Sequence, residues 1–268
     1  MNAVRPAAVA GMFYPADPRE LAGEVRGFLA LSLTQSQPPK ALIVPHAGYI
    51  YSGAIAASAY STLKQIAARI RRVVLLGPTH RVAVNGLALP DTSVFATPLG
   101  NVMLDIQGMQ TLSHLPQIRI SGDAHAQEHS LEVQLPFLQS VLENFTLLPL
   151  AVGHATAQEV AEVLETVWGG DETLIVISSD LSHYLPYADA QRLDAKTAAE
   201  ILKLSQPITH EQACGGTPIS GLILAARAHF LRPHLLDLRN SGDTTGPRDR
   251  VVGYAAFAFT GEKDHVRH

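Results

Sequence analysis

The apolar residues of this chain fall into two alternating patterns. Short, mostly apolar runs occur at residues 41–44, 73–76, 146–152 and 173–177, with further runs at 235–238 and 251–259. Runs of this length and composition are typical of strands that are buried on both faces of a sheet. Between them, apolar residues recur at helical spacing over residues 52–66, 130–142, 156–168, 188–204 and 217–231. The pattern therefore predicts strands joined by helices.

This alternation predicts an α/β fold with a mostly parallel central sheet that is flanked by helices on both faces. Residues 87–105 differ, because two short strand-like runs with turns predict an antiparallel edge there. Pro136 lies inside the predicted helix at 130–142, where it should kink the helix or occupy its first turn. No change in composition marks a boundary, so we expect residues 1–268 to form one domain.

Composition excludes several classes of protein. Of the 268 residues, 47% are hydrophobic and 16% are charged, which supports a large core and excludes a disordered chain. The net charge of -4 and the lack of a long basic run argue against a nucleic-acid partner. The apolar runs are shorter than the roughly 20 residues that span a bilayer, so we expect no membrane association. The single cysteine, Cys214, excludes an internal disulfide framework and fits a cytoplasmic setting.

Three of the predicted buried strands end in polar turns that carry a histidine. His46 follows the strand at 41–44, His80 follows the strand at 73–76, and Asp180 and His183 follow the strand at 173–177. Ligands of open α/β sheets bind outside the carboxyl ends of the strands, so these turns can converge on one crevice. Two neutral imidazoles and a carboxylate form a common site for divalent iron or zinc. Ordinary turn chemistry is the alternative interpretation of each histidine.

A second group of polar residues precedes the predicted helix at 130–142. It contains Asp123, His125, Glu128 and His129. Carboxylates at a helix start stabilise the helix dipole, so capping is the simplest interpretation of the acidic residues. The same position disfavours a charged imidazole, which leaves His125 and His129 available as neutral ligands or general bases.

Two further turns contain residues that could bind a metal. Cys214 lies in a glycine-rich turn before a predicted helix, where a helix N-terminus would favour a thiolate; burial as a small apolar residue is the alternative. Asp243 follows the strand at 235–238, in a sequence that is also ordinary turn material. The signatures of serine hydrolases, zincin proteases, P-loop ATPases and Rossmann dehydrogenases are all absent from the sequence.

Six motifs together resemble the Memo family, in that family's order and over nearly the whole chain. They are Ala10-Gly11-Met12-Phe13-Tyr14-Pro15, Pro45-His46-Ala47-Gly48-Tyr49-Ile50-Tyr51-Ser52-Gly53, Gly77-Pro78-Thr79-His80, Glu128-His129-Ser130-Leu131-Glu132-Val133-Gln134-Leu135-Pro136, Ser178-Ser179-Asp180-Leu181-Ser182-His183 and Val252-Gly253-Tyr254-Ala255-Ala256. The resemblance implies a fold like that of the class III extradiol dioxygenases, which are non-haem iron enzymes. It also implies a pocket built from His46, His80, Asp180 and His183.

The resemblance further implies a metal held by two histidines and a cysteine in the turn after the penultimate strand. This sequence has Asp243 and Thr244 there instead of the cysteine. We expect Asp243 to be the third ligand, in preference to Cys214, because it stands nearer the family's ligand position. If neither residue binds, the carboxylate would come from Asp180 or Glu128. The resemblance also implies radical-SAM system proteins as partners of microbial relatives.

Our leading hypothesis is a redox-class enzyme of unknown substrate with a site like that of the extradiol dioxygenases. Iron(II) would be held by His46, His80 and Asp243, with zinc or copper as alternative metals. His183, Asp180 and His129 would be the catalytic residues around a small-molecule substrate. The rival hypotheses are a zinc-dependent hydrolase in the same pocket and a non-catalytic binding module with a vestigial site.

Overall fold

The computed structural model of the chain describes residues 4–32 and 37–261, so the ends of the predicted 1–268 domain lie outside the described residues. The strands are numbered in chain order: β1 Val4–Arg5, β2 Ala41–Val44, β3 Arg72–Pro78, β4 Leu87–Leu89, β5 Val94–Thr97, β6 Gly100–Met103, β7 Ile118–Ile120, β8 Thr146–Val152, β9 Thr173–Ser178, β10 His183–Leu185, β11 Arg232–Asn240 and β12 Val251–Thr260. The helices are α1 Pro18–Leu31, α2 Tyr49–Tyr60, α3 Ile106–Leu112, α4 Gly122–Ala126, α5 His129–Glu132, α6 Leu135–Val141, α7 Ala157–Thr166, α8 Tyr187–Leu202 and α9 Gly216–Ala228, and short 3-10 turns occur at Ser61–Gln65 and Ser241–Asp243.

The main sheet is parallel at its centre and antiparallel towards its sides. Within the described residues its strand order is β10-β12-β2-β9-β3-β8-β4-β7, and β11 also pairs with β12. Strands β2, β9, β3 and β8 run parallel to one another. Strand β12 is antiparallel to β2, and β4 is antiparallel to β8. The predicted α/β fold with a helix-flanked central sheet is confirmed; the four central strands are parallel to one another, and β4 and β7 form a second parallel pair at one side.

The region predicted as an antiparallel edge contributes to two sheets. Strand β4 joins the main sheet, while β5 and β6 pair antiparallel in a small separate sheet with β1. The N-terminal segment is thereby held against the middle of the chain, since β1 pairs with β5.

Both faces of the main sheet are covered by helices because its central strands are apolar at nearly every interior position. Along β2, Leu42 and Val44 face a core that also contains Val25 of α1 and Ile55 of α2. The alternate residues, such as Ile43, face a second core with side chains from α7, α8 and α9. Alternate side chains of a strand point to opposite faces, so burial on both sides requires the unbroken apolar runs seen in the sequence.

The segment predicted as one helix at 130–142 is two short helices. Helix α5 ends at Glu132, and α6 begins at Leu135 with Pro136 in its first turn. The proline nitrogen cannot donate a hydrogen bond, so it is tolerated only where the helix needs no donor. Helix α5 has Glu128 as its N-cap and begins at His129. No helix in the described ranges is long and apolar enough to cross a membrane.

Candidate metal centre

The turns after three neighbouring strands meet at one edge of the main sheet. Strand β9 lies between β2 and β3, and all three run in the same direction. Their carboxyl ends therefore carry His46, Asp180 and His80 to the same place, as the sequence predicted. His129 reaches the same place from the N-terminus of α5.

His46, His80 and His129 form a group that could hold a metal ion. One nitrogen from each ring lies within 4.8 Å of the other two. The ring centroid of His46 lies 5.2 Å from that of His80 and 5.4 Å from that of His129, while the latter two are stacked at 4.7 Å. Imidazole nitrogen is a ligand for zinc, copper, iron and nickel, so this donor set fits a divalent transition metal.

The orientation of His46 is determined by Ser178 at the end of β9. The Ser178 hydroxyl donates its only proton to the carbonyl of Ser130 at 2.6 Å and accepts from Nε2 of Gln134 at 2.8 Å. Its remaining lone pair must accept the 2.9 Å hydrogen bond from Nδ1 of His46. His46 therefore carries its proton on Nδ1, and the lone pair of Nε2 remains available for a metal.

Glu128 holds both of the other histidines. Its Oε1 accepts from Nδ1 of His80 at 2.9 Å and lies 3.3 Å from Nδ1 of His129. Its Oε2 accepts from the backbone nitrogen of His80 at 2.6 Å, and the backbone nitrogen of Ser130 donates to Oε1 at 2.9 Å. Burial raises the pKa of Glu128, but the hydrogen bonds and charge of His80 and the backbone N–H groups outweigh it and lower the pKa to about 2. A buried carboxylate that accepts from ligand imidazoles orients them and increases their basicity.

Burial keeps His46 and His129 in the neutral form that can bind a metal. Burial, followed by the nearby His80, His129 and His183, lowers the pKa of His46 well below its ordinary value. Burial also lowers the pKa of His129 to about 4, although Glu128 acts in the opposite direction. An imidazole must be neutral to coordinate a metal, and the lowered pKa values leave His46 and His129 neutral at pH 7.

Asp180 and His183 line the same cavity as the three histidines. The Oδ1 atom of Asp180 accepts from the backbone nitrogen of His46 at 2.7 Å, and its Oδ2 lies 4.0 Å from Nε2 of that residue. Burial raises the pKa of Asp180 to about 7, against the effect of hydrogen bonds from the backbone of His46 and Ala47. Burial lowers the pKa of His183. The cavity has a volume of about 540 Å³, which suits a small organic molecule.

Cys214 lies beside the group as a buried thiol. Its Sγ is 3.3 Å from Nε2 of His46 and 3.7 Å from the carbonyl oxygen of Asp180. Burial and the charge of Asp180 raise the pKa of Cys214 to about 12. The helix start that follows Cys214 does not make it a thiolate, because desolvation is the larger effect.

The structure does not bring Asp243, the predicted third ligand, to the histidine group. One carboxylate oxygen accepts from the backbone nitrogen of Asn240 at 3.0 Å, and the other accepts from the hydroxyl of Tyr187. Asp243 is exposed and closes a capping box on the 3-10 turn that follows β11. The sequence also allowed Gly242-Asp243 to be an ordinary turn, and Asp243 does lie in such a turn.

Glu128 and Ser178 are the functional residues that sequence reasoning missed. Glu128 was interpreted as a helix cap, or as a metal ligand if neither Asp243 nor Cys214 binds. It does accept from the backbone nitrogen of Ser130 as a cap, but it also accepts from Nδ1 of His80, which follows another strand. The sequence shows only that Glu128 stands next to His129 at a predicted helix start, and this does not indicate a contact with His80. For Ser178 the sequence had no signal, since a serine that ends a strand is common.

Fold and site together define a class: an α/β protein with a candidate three-histidine metal centre at the carboxyl ends of its central parallel strands. The family model described as "Memo-like protein" matches residues 5–258. The chain belongs to the Memo family, and the resemblance inferred from its motifs is confirmed.

Relatives in distant organisms cover the chain almost completely. A MEMO1 family protein of Aquifex aeolicus (strain VF5) is 35% identical, and the match spans 96% of this chain and 99% of the relative. A MEMO1 family protein of Archaeoglobus fulgidus is 36% identical, over 94% of this chain and 97% of the relative. Among solved structures, the uncharacterized protein JW3007 from Escherichia coli K12 is similar with a TM-score of 0.50 at 12% identity, covering 82% of this chain and 99% of that one. The last likeness concerns the fold alone.

Proposed function

We propose that this protein is a metal-dependent enzyme that acts on a small molecule. His46, His80 and His129 would hold a divalent transition metal, and the adjoining cavity would hold the substrate. The observation that carries the proposal is the convergence of three ring nitrogens within 4.8 Å. Support also comes from Ser178 and Glu128, which accept hydrogen bonds from Nδ1 of His46 and Nδ1 of His80 and leave the Nε2 atoms of both rings free of these bonds. A structural cluster of surface histidines would not require such anchoring.

The residues around the proposed metal would have different roles in catalysis. A metal held by the three histidines would supply Lewis-acid or redox chemistry. Asp180 directs Oδ2 towards Nε2 of His46, and His183 lines the same cavity, so both can transfer protons to a bound molecule. The aromatic side chains of the cavity would exclude water from the reacting atoms.

Iron(II) and redox chemistry form our leading version of this proposal. It rests on the Memo family's resemblance to the class III extradiol dioxygenases and on the suitability of imidazole ligands for iron. The second version is zinc-assisted hydrolysis. It is favoured by one observation, which is that the three converging groups are imidazoles with no carboxylate among them. Three histidines and an open position are a known catalytic zinc arrangement.

The ligand assignment is tested by comparing matched variants. We expect His129→Gln to lose most of its metal, because it removes one of three ligands, whereas Asp243→Asn should keep its metal. His114→Gln, at an exposed histidine outside the cavity, is the control. Metal content after anaerobic purification and the visible spectrum of the Co²⁺-loaded protein would report the change. Loss of metal in Asp243→Asn with retention in His129→Gln would restore Asp243 as the third ligand and overturn this site.

The two versions are separated by the native metal and by oxygen uptake. Iron in the anaerobically purified protein, together with uptake of oxygen in the presence of candidate substrates, supports the redox version. Zinc without oxygen uptake supports the hydrolytic version. A wild-type protein that binds neither Fe²⁺, Zn²⁺ nor Co²⁺ would refute both.

A further inference from the structure

The cavity beside the histidine group has an aromatic wall. Phe13, Tyr51, Tyr184 and Tyr254 all line it. Their rings come from four separate segments of the chain, namely the N-terminal loop, α2, β10 and β12. Aromatic rings that surround a cavity of this size bind flat apolar molecules through their faces and edges.

Tyr184 is placed at this wall by a local irregularity in the sheet. The pairing of β10 with β12 shifts register between His183 and Leu185, so Tyr184 is the extra residue of a bulge. Its backbone is in the left-handed region, with φ of 58°, and its side chain is 62% exposed. A bulky residue rarely adopts this conformation, and bulges beside functional sites re-aim side chains. The bulge presents a large, exposed aromatic ring at the rim of the cavity.

Arg250 stands next to this ring. Its guanidinium carbon lies 5.0 Å from the ring centroid of Tyr184, and Arg250 also lines the cavity. In the part of the chain that the structure describes, Arg250 forms no ion pair with a carboxylate, unlike Arg5, which is paired with Glu132. The guanidinium of Arg250 therefore lies over an aromatic face, and its N–H groups can donate hydrogen bonds to an anionic ligand.

The charges that line the cavity are unequal. Among the described lining residues, Arg250 is the one arginine or lysine and Asp180 the one carboxylic acid. Asp180 is buried and already accepts from the backbone nitrogen of His46, whereas Arg250 is exposed. A bound divalent metal would add positive charge. The field at the entrance therefore attracts anions.

We infer that the ligand of this cavity is a small organic anion with a flat aromatic body. Its anionic group, a carboxylate or a phosphate, pairs with Arg250, and its body lies against Tyr184 and the aromatic wall. The inference rests on the proposed function in one respect: the metal-facing cavity is taken to be the substrate site. Arg250 and Tyr184 are then the residues that select the substrate, and they do not contact the metal.

The test compares two flat probes of nearly the same shape, the anion 2-naphthoate and the neutral 2-naphthamide. Binding is measured by isothermal titration to the full chain, both metal-free and zinc-loaded. We expect metal-free wild type to bind the naphthoate roughly fivefold more tightly than the amide, as suits a partly exposed ion pair. Arg250→Gln should abolish this preference. Arg248→Gln should keep it, because Arg248 stacks on Tyr187 and does not line the cavity.

The aromatic part of the inference has its own variants. Tyr184→Leu should weaken both probes by roughly three- to tenfold through loss of the ring contact, and Tyr184→Phe should not. A charge preference that survives in Arg250→Gln, or that appears only in zinc-loaded protein, overturns the inference, because the metal would then be the anion site. If both probes bind to Tyr184→Leu as tightly as to wild type, the proposed contact between the ligand and the ring of Tyr184 is wrong. If zinc fails to bind while the Arg250-dependent preference remains, the proposed function fails and the ligand chemistry of the cavity stands.

Discussion

At the scale of single residues, Glu128 is the most informative side chain of the site. Its carboxylate accepts from Nδ1 of His80, lies 3.3 Å from Nδ1 of His129, and caps the helix that begins at His129. Because its pKa is lowered to about 2, it is ionised throughout the range in which the protein would work. Its negative charge strengthens the hydrogen bond from Nδ1 of His80 and so favours the tautomer that leaves Nε2 free.

We predict that Glu128→Gln lowers metal affinity by about 10- to 100-fold, since a neutral amide holds the imidazoles less firmly. Titration with Zn²⁺ or Co²⁺ would measure the change, and thermal unfolding would show whether the fold is retained. Glu143→Gln, at an exposed glutamate, is the control and should bind as wild type does. Equal affinity in the Glu128→Gln and wild-type proteins would remove Glu128 from the site.

At the scale of elements, the turn after β9 is fixed to β12. The backbone nitrogen of Gly253 donates to the carbonyl of Ser182, and the nitrogen of Leu181 donates to the carbonyl of Gly253, both at 2.8 Å. Asp194 of α8 approaches from the other side and accepts from the backbone nitrogen of Ser182 at 3.0 Å. A Cβ atom on Gly253 would lie 2.1 Å from Oδ2 of Asp194. The turn that carries Asp180 is therefore held between a strand and a helix.

We predict that Gly253→Ala destabilises the protein by about 1–3 kcal/mol, because the added methyl group must displace a buried carboxylate. Chemical denaturation would measure the change. The matched control is Gly27→Ala in α1, where a Cβ meets nothing within 4 Å. Alanine is the better helix former, so that control should be stabilised by about 0.5–1 kcal/mol. Equal effects of the two substitutions would contradict the close packing at Gly253.

Asp194 also makes stability depend on pH. Burial raises its pKa from 3.8 to about 6, although hydrogen bonds from Ser182 oppose the shift. The folded state therefore binds this proton more tightly than the unfolded state does, and the associated stability is lost as pH rises from about 4 through 6.

We predict that Asp194→Asn and wild type are equally stable near pH 4, and that the variant becomes the more stable by up to about 3 kcal/mol at pH 7.5. Asparagine can still accept from the nitrogen of Ser182, so the hydrogen bond is retained. Urea denaturation at the two pH values measures the difference. A gap that is constant with pH would show that Asp194 has no raised pKa.

At the scale of the whole molecule, the proposed metal would join segments that are far apart in the chain. His46, His80 and His129 follow β2, follow β3 and begin α5, respectively. Arg5 ties the N-terminal strand to the same region, since it donates to the carbonyl of Glu128 at 2.8 Å and pairs with Glu132 at 2.7 Å. A ligand that binds only this assembled arrangement must stabilise the folded state as a whole.

We predict that free Zn²⁺ or Fe²⁺ at 100 times its dissociation constant raises the unfolding free energy by about 2.7 kcal/mol. For a chain of this size, the melting temperature should increase by roughly 5–10 °C. Differential scanning calorimetry would measure it, with His80→Gln as the control that should not respond. An equal increase in that variant would mean that the metal binds elsewhere.

The sequence alone determined the fold class and the location of the site. Unbroken apolar runs require burial on both faces, and polar turns at their ends carry His46, His80 and Asp180 to one edge whenever the strands are parallel neighbours. Both inferences depend on short stretches of chain, in which periodicity and turn residues act locally.

The tertiary structure decided which residues join the two strand histidines. Asp243 stood at the position that the family resemblance favoured, yet it is exposed and bonded to Asn240 and Tyr187, while His129 occupies the place beside His46 and His80. The packing of α5 on β3 produces this result, and it depends on contacts between segments that are distant in the chain. Convergence of side chains in space is set by how elements pack, and a linear pattern of residues does not encode those distances.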